Sequence, residues 1–201
     1  MALSYTPCRI TAPDARLSPP FALDGLMRAS LLLFVWMTMT AVATLHAQSP
    51  VASALRQATS IEGKNLVDAA DEMPADKYNY KPTPAQMSFG NVIAHLATGN
   101  AMMCGWLSGQ TPPAGPQLSE TDSKDKLLEG LRSSFAFCTS ALAQLDDKGM
   151  GDSIPFFGTR KMTRAMESFI IVDDWADHYS QLAIYLRLNG LVPPTAKRKE
   201  S

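Results

Sequence analysis

From Ala52 onward the chain falls into four long stretches in which apolar residues recur every three or four positions, separated by breaks rich in Pro and Gly. That period is the one by which an α-helix turns one face to a core. The first stretch predicts a helix over Ala52 to Glu72, with Leu55, Ile61, Leu66 and Ala69 inward and Pro74 ending it. The second runs from about Gln86 to Leu107 with Ser88 as a local cap; Asn91, His95, Gly99, Met102 and Trp106 share one side, which aims His95 at the interior and leaves space beside it at Gly99. The third, Ser123 to Leu145, carries Leu127, Leu128, Leu131, Phe135 and Leu142 at helical spacing. The fourth starts at the capping hydroxyl of Thr163 and ends at Asn189-Gly190, with Pro193 just beyond. Its inner stripe is Ile171, Asp174, Trp175, His178, Leu182 and Tyr185.

The breaks have their own chemistry. Tyr78 to Pro84 is extended, because each residue before a proline is steered away from helical dihedrals, and it reads as a strap over the bundle. Ser108 to Pro116 is a loop at one end. Asp146 to Thr159 holds three Gly and one Pro and cannot continue a helix; its Phe156-Phe157-Gly158 turn either plugs the core, the simpler reading, or covers a site entrance. The pattern predicts an all-α four-helix bundle over residues 48–195, followed by a basic, solvated tail at 196–201.

Composition fits one small domain. The chain has 201 residues, 46% hydrophobic, with a net charge of −1, enough for one core and without the basic excess that nucleic-acid binding requires. The N-terminus differs from the rest. Leu31 to Val42 is an apolar run preceded by Arg28 and followed by the small-residue sites Ala41-Val-Ala43 and Leu45-His-Ala47, the layout of a secretory signal. Thr38 and Thr40 interrupt it, and it falls short of the ~20 residues of a spanning helix. Residues 1–47 are therefore expected to be leader and signal, with Met27 as the true start and a periplasmic or secreted product that has no membrane span in its mature form. Removing them takes away three Arg and two Asp and leaves a domain of about −2. In an oxidising compartment Cys104 and Cys138, the pair left once Cys8 is removed, are expected to form a disulfide between neighbouring helices; the alternative is two buried thiols.

Candidate chemistry concentrates on two histidines. Of three His, His46 lies in the removed segment, and His95 and His178 remain in helical, apolar stretches where an unpaired imidazole is costly to bury. Asp174 and His178 are four residues apart and so share a helix face. A third donor from another helix, His95, would complete a metal site; without it the pair is an ordinary acid–imidazole contact. Asp173 and Asp177 point about 140° and 100° away from His178 and are expected to face solvent. Gln181, one turn after His178, either orients a ligand imidazole or a bound water, or is a surface amide.

The run Met73-Pro-Ala-Asp-Lys-Tyr78 through Pro84 to Gly90-Asn-Val-Ile-Ala-His95-Leu-Ala resembles the first half of the DinB/YfiT-like family. The run Asp174-x-x-Asp-His178-Tyr-Ser-Gln181-Leu through Gly190-Leu-Val-Pro-Pro194 resembles its last helix. The resemblance covers roughly residues 52 to 195. It implies a four-helix bundle holding a divalent metal, here Zn, Ni or Fe, through one His of the second helix and an H-x-x-x-H pair of the fourth. His95 and His178 match that set, whereas Asp174 stands where the family usually has its other His. Two His and one carboxylate form a recognised open set for Zn or Fe(II), so Asp174 is expected to bind directly or through water, with a hydrogen bond to His178 as the alternative. The resemblance further implies thiol-dependent S-transferases, isomerases and metal-dependent hydrolases. The expected function is a metal-dependent hydrolase or transferase acting on a small molecule; the alternative is a non-catalytic bundle that binds a metal or small ligand. A homodimer stays open, and no Ser/His/Asp nucleophile set is evident.

Overall fold

The computed structural model describes residues 49–115 and 117–197. The leader and signal expected over residues 1–47, with Met27 and Cys8, lies outside the described residues, as does the tail from residue 198. Four long helices make the bundle: α1 (Pro50–Glu72), α2 (Phe89–Ser108), α3 (Lys124–Leu142) and α4 (Arg164–Leu188). A hairpin of β1 (Ser153–Phe156) and β2 (Arg160–Thr163) leads into α4, and a short α5 (Pro194–Lys197) closes the described chain. None of the described helices is long and apolar enough to cross a membrane.

Three of the four long helices start where the local sequence supplies an acceptor for a free N–H group of the first turn. Ser88, Ser123 and Thr163 accept from Asn91, Lys126 and Met166. α1 has Pro50 in its first turn and no cap of its own; the Asp147 carboxylate, far along the chain, accepts from Val51 N and Ala52 N at 3.0 and 2.8 Å. At the other end of α4 the chain leaves the helix through Gly190, whose φ of +76° favours a residue without Cβ.

α2 packs most extensively on α3, and α1 on α4. The core centres on fully buried Phe89, Leu66, Ile93, Trp175 and Tyr185. Inside it the Asn100 amide donates to Ser134 Oγ at 3.0 Å and accepts from Trp175 Nε1 at 2.6 Å, so one buried side chain joins α2, α3 and α4. Cys104 and Cys138 form a disulfide between α2 and α3, with their Cα atoms 5.2 Å apart. The strap after α1 is pinned by Tyr78, whose hydroxyl donates to Ala70 O at 2.7 Å and whose carbonyl accepts from Gly90 N at 2.7 Å. A Cβ at Gly90 would stand 3.1 Å from Glu120 O and 3.2 Å from Tyr78 O, so the strap can lie this close only over glycine.

Several expectations need correction. Ile61 is 47% exposed rather than inward, because it lies about 120° around the wheel from Leu55 and about 140° from Leu66. α2 begins at Phe89, since Pro82 to Gln86 form bends and a turn and Ser88 is the extended cap, and α3 stops at Leu142. The Gly-rich break contains a hairpin, not only a loop, and its eight strand residues add a small β element to the helical fold. Lys197, the first basic residue of the expected tail, ends α5, stays exposed and pairs with Glu72 at 2.7 Å.

Candidate metal centre

α2 and α4 run antiparallel, with Asn100 against Trp175 and Tyr185 beside the start of α2. That pairing brings His95 level with Asp174 and His178. One donor atom from each of the three residues lies within 4.8 Å of the others. His178 Nε2 is 3.5 Å from Asp174 Oδ1, and the two imidazole rings meet edge to face with centroids 5.0 Å apart. Four ligands held tetrahedrally at 2.0 to 2.2 Å stand about 3.4 Å from one another, so the His178–Asp174 spacing is compatible with two ligands sharing one ion.

Burial is graded across the cluster. His178 is 9% exposed and Asp174 is partly buried, while His95 is exposed. His95 therefore does not face the interior as the wheel suggested; the inward stripe of α2 is Phe89, Val92, Leu96, Asn100 and Met103, and His95 stands at its edge. This leaves the cluster open to solvent on one side. Gly99 keeps that side roomy, since a Cβ there would meet only Met103 Cε at 3.8 Å. Burial raises the pKa of the Asp174 carboxyl from its ordinary value; the His178 and His95 imidazoles oppose the shift and the Asp177 and Asp173 charges add to it. Asp173 and Asp177 themselves point to solvent. Gln181 is not a surface amide: its Oε1 lies 3.0 Å from His178 Nδ1.

The donor chemistry fits a divalent cation. With Nδ1 against an amide oxygen, His178 turns Nε2 towards a carboxylate, and the third donor is another imidazole; a cation or a proton between them relieves the crowding of lone pairs.

The aromatic turn serves another part of the bundle. Phe156 and Phe157 pack with Trp106 near the far end of α2, at centroid distances of 6.4 and 5.3 Å, three helical turns from His95. Phe156 is buried and Phe157 is 40% exposed, so the turn is a partial plug and does not cover the cluster. Among the described residues, clefts of ≈ 530, ≈ 480 and ≈ 510 Å³ open elsewhere, their linings without His95, Asp174 or His178, although Thr98, three residues after His95, lines the first and the last.

One further charged group was not singled out by the sequence. Glu167 on α4 is fully buried, and neither carboxylate oxygen has a hydrogen-bond partner. Burial pushes its pKa up to about 7, with Arg164 opposing. The Arg164 guanidinium is engaged elsewhere, donating to Gly149 O and Leu107 O.

Residues 58–182 match the model of the DinB superfamily. The chain belongs to the DinB superfamily. Solved DinB-like proteins share its fold. One from Bacillus cereus is 18% identical with a TM-score of 0.60, covering 71% of this chain and 95% of its own. Another from Bacillus subtilis is 18% identical with a TM-score of 0.58, covering 73% and 99%. A conserved protein from Enterococcus faecalis is 17% identical with a TM-score of 0.53, covering 68% and 95%. No functionally curated protein matches the chain. The DinB-like bundle and the His-Asp-His cluster are together compatible with metal binding.

Proposed function

We propose that this DinB-superfamily protein binds one divalent metal ion through His95, Asp174 and His178 and acts as a metal-dependent hydrolase or transferase on a small molecule. The observation that carries the reading is the convergence of three donor atoms within 4.8 Å, on two helices, with His95 left exposed. Zn, Ni and Fe(II) all suit two imidazoles and a carboxylate. An ion held by this set supplies Lewis acidity to a substrate thiol or carbonyl. The chain's own contribution is to hold His178 by Gln181, to keep the Asp174 carboxylate partly desolvated beside it, and to leave the His95 side open for a substrate.

The rest of the proposal concerns where the protein works. Residues 1–47 act as leader and signal, the mature domain begins near residue 48, and the product is periplasmic or secreted. The Cys104–Cys138 disulfide supports this, because such bridges persist in oxidising compartments. An oxidising setting favours the hydrolase over the thiol transferase. A second reading, a non-catalytic bundle binding metal or a small ligand, is favoured by Asp174 in place of the usual His and by clefts that do not reach the cluster.

Elemental analysis of purified protein, and of metal-stripped protein re-equilibrated with Zn, Ni or Fe(II), tests the reading. One ion per chain is expected, and its loss in both His95→Ala and His178→Ala. Unchanged metal content in either variant removes that residue from the site.

A further inference from the structure

Tyr185 is a buried residue of α4 whose ring packs against Tyr80 and Phe89. Its hydroxyl touches two groups: Met87 O at 3.0 Å and Gln181 Nε2 at 3.1 Å. Gln181 in turn reaches His178 Nδ1. The direction of every bond in this chain follows from its first member. A carbonyl only accepts, so the phenol proton of Tyr185 goes to Met87 O, which leaves the phenol oxygen to accept from the Gln181 amide. The Gln181 nitrogen must then face Tyr185 and its oxygen must face His178. Turning the amide round would set its oxygen against a phenol whose one proton is already committed. An amide oxygen also only accepts, so Nδ1 of His178 carries the proton. A neutral imidazole has one N–H, and Nε2 is left with its lone pair.

Asp174 is the competitor for that proton. An ionised carboxylate is the stronger acceptor, and it would draw the proton to Nε2 if it stood close enough. At 3.5 Å it lies beyond the 2.7–3.2 Å range of a normal N–H···O bond, whereas Gln181 at 3.0 Å lies within it.

We infer that Tyr185 is a positioning residue that acts through Gln181 to hold His178 in its Nδ1–H form, so that Nε2 presents a lone pair to a cation. The metal-facing half of this inference rests on the reading proposed above; the tautomer does not. The anchor has a structural meaning as well. Met87 O directly precedes Ser88, the cap of α2, so the same chain of bonds ties the α4 imidazole to the start of the helix that carries His95.

The test reads the proton first and the metal second. Long-range nitrogen–proton NMR spectra of metal-free protein labelled at histidine, taken well above the usual imidazole pKa of ~6.5, report which ring nitrogen carries hydrogen. The chain has three histidines, so the His46→Ala and His95→Ala variants together assign the His178 signals. Wild type is expected to show Nδ1–H at His178, and Gln181→Leu and Tyr185→Phe a shift to Nε2–H. Zinc affinity, measured against a chromophoric chelator, is expected to fall about 10- to 100-fold in Gln181→Leu. Gln181→Glu, which keeps an acceptor towards Nδ1, is expected to retain both the tautomer and the affinity. Tyr185→Phe removes one oxygen from a ring that stays packed, so its result stands if Gln181→Leu folds poorly. Nε2–H in the wild type, or an unchanged tautomer in Tyr185→Phe, overturns the inference. A wild type that shows Nδ1–H but takes up no zinc overturns the metal reading instead, and the two failures are told apart.

Discussion

Asp174 Oδ1 and His178 Nε2 face each other at 3.5 Å across one helical turn, a spacing compatible with two ligands on a shared ion and longer than a normal hydrogen bond. If Asp174 is a ligand, Asp174→Ala weakens zinc by more than the 10- to 100-fold that losing an outer hydrogen-bond partner costs, while Asp174→His keeps or tightens it. Chelator competition on the two variants decides the point. An Asp174→Ala protein with wild-type affinity makes the carboxylate a mere neighbour of His178.

The Cys104–Cys138 bridge closes a loop of 34 residues and ties α2 to α3 beside Asn100, whose backbone oxygen lies 3.5 Å from Cys138 Sγ. Loop-closure entropy assigns such a bridge about 3 to 4 kcal/mol. Denaturant unfolding with and without reductant, and of Cys138→Ala, is expected to show a loss of this order. Intact mass with alkylation checks the oxidation state of the native protein, where two freely reacting thiols contradict the bridge.

The four helices were readable because their apolar positions recur at the helical period over long stretches, and caps such as Ser88 and Thr163 punctuate them. The spacing of Asp174 and His178 marked the α4 half of the cluster for the same reason. Short elements escaped. β1 alternates exposed and buried residues over only four positions, with Ile154 and Phe156 inward, too brief to stand out among Gly149, Gly151 and Gly158. The exposure of His95 depends on how far α2 is rotated against α4, which a single-helix wheel does not contain. The burial of Glu167 is hidden by the same limit, because a glutamate in the first turn of a helix ordinarily serves its N-terminal dipole from the surface. The Gln181–Tyr185 pair, by contrast, is visible as an i,i+4 spacing, and only its anchor on Met87 O required the fold.

The leader reading has a direct check. When the full chain is produced in a bacterium with its own N-terminus, the mature protein is expected to begin after Ala43 or Ala47. Mass spectrometry of the N-terminal peptide measures this, and a chain beginning at Met1 or Met27 speaks against export.

Glu167 makes the stability of the bundle depend on pH in a direction opposite to that of most carboxylates. Its folded pKa of about 7 lies above the value of 4.5 for a free glutamate, because burial disfavours the charged form by more than the nearby Arg164 charge favours it. Below pH 4.5 both the folded and unfolded chains hold the proton, and the residue contributes no pH dependence. Between 4.5 and about 7 the unfolded chain releases the proton first, so rising pH favours unfolding; above about 7 the loss is complete. At 1.36 kcal/mol per pH unit the full effect is about 3 kcal/mol. Glu167→Gln keeps the shape and removes the charge. Chemical denaturation of the two proteins from pH 4 to 8 is therefore expected to show the variant gaining on the wild type by about that amount as pH rises. Parallel curves across the range would mean that Glu167 stays ionised in the fold with a partner of its own, and the buried neutral carboxyl would have to be abandoned.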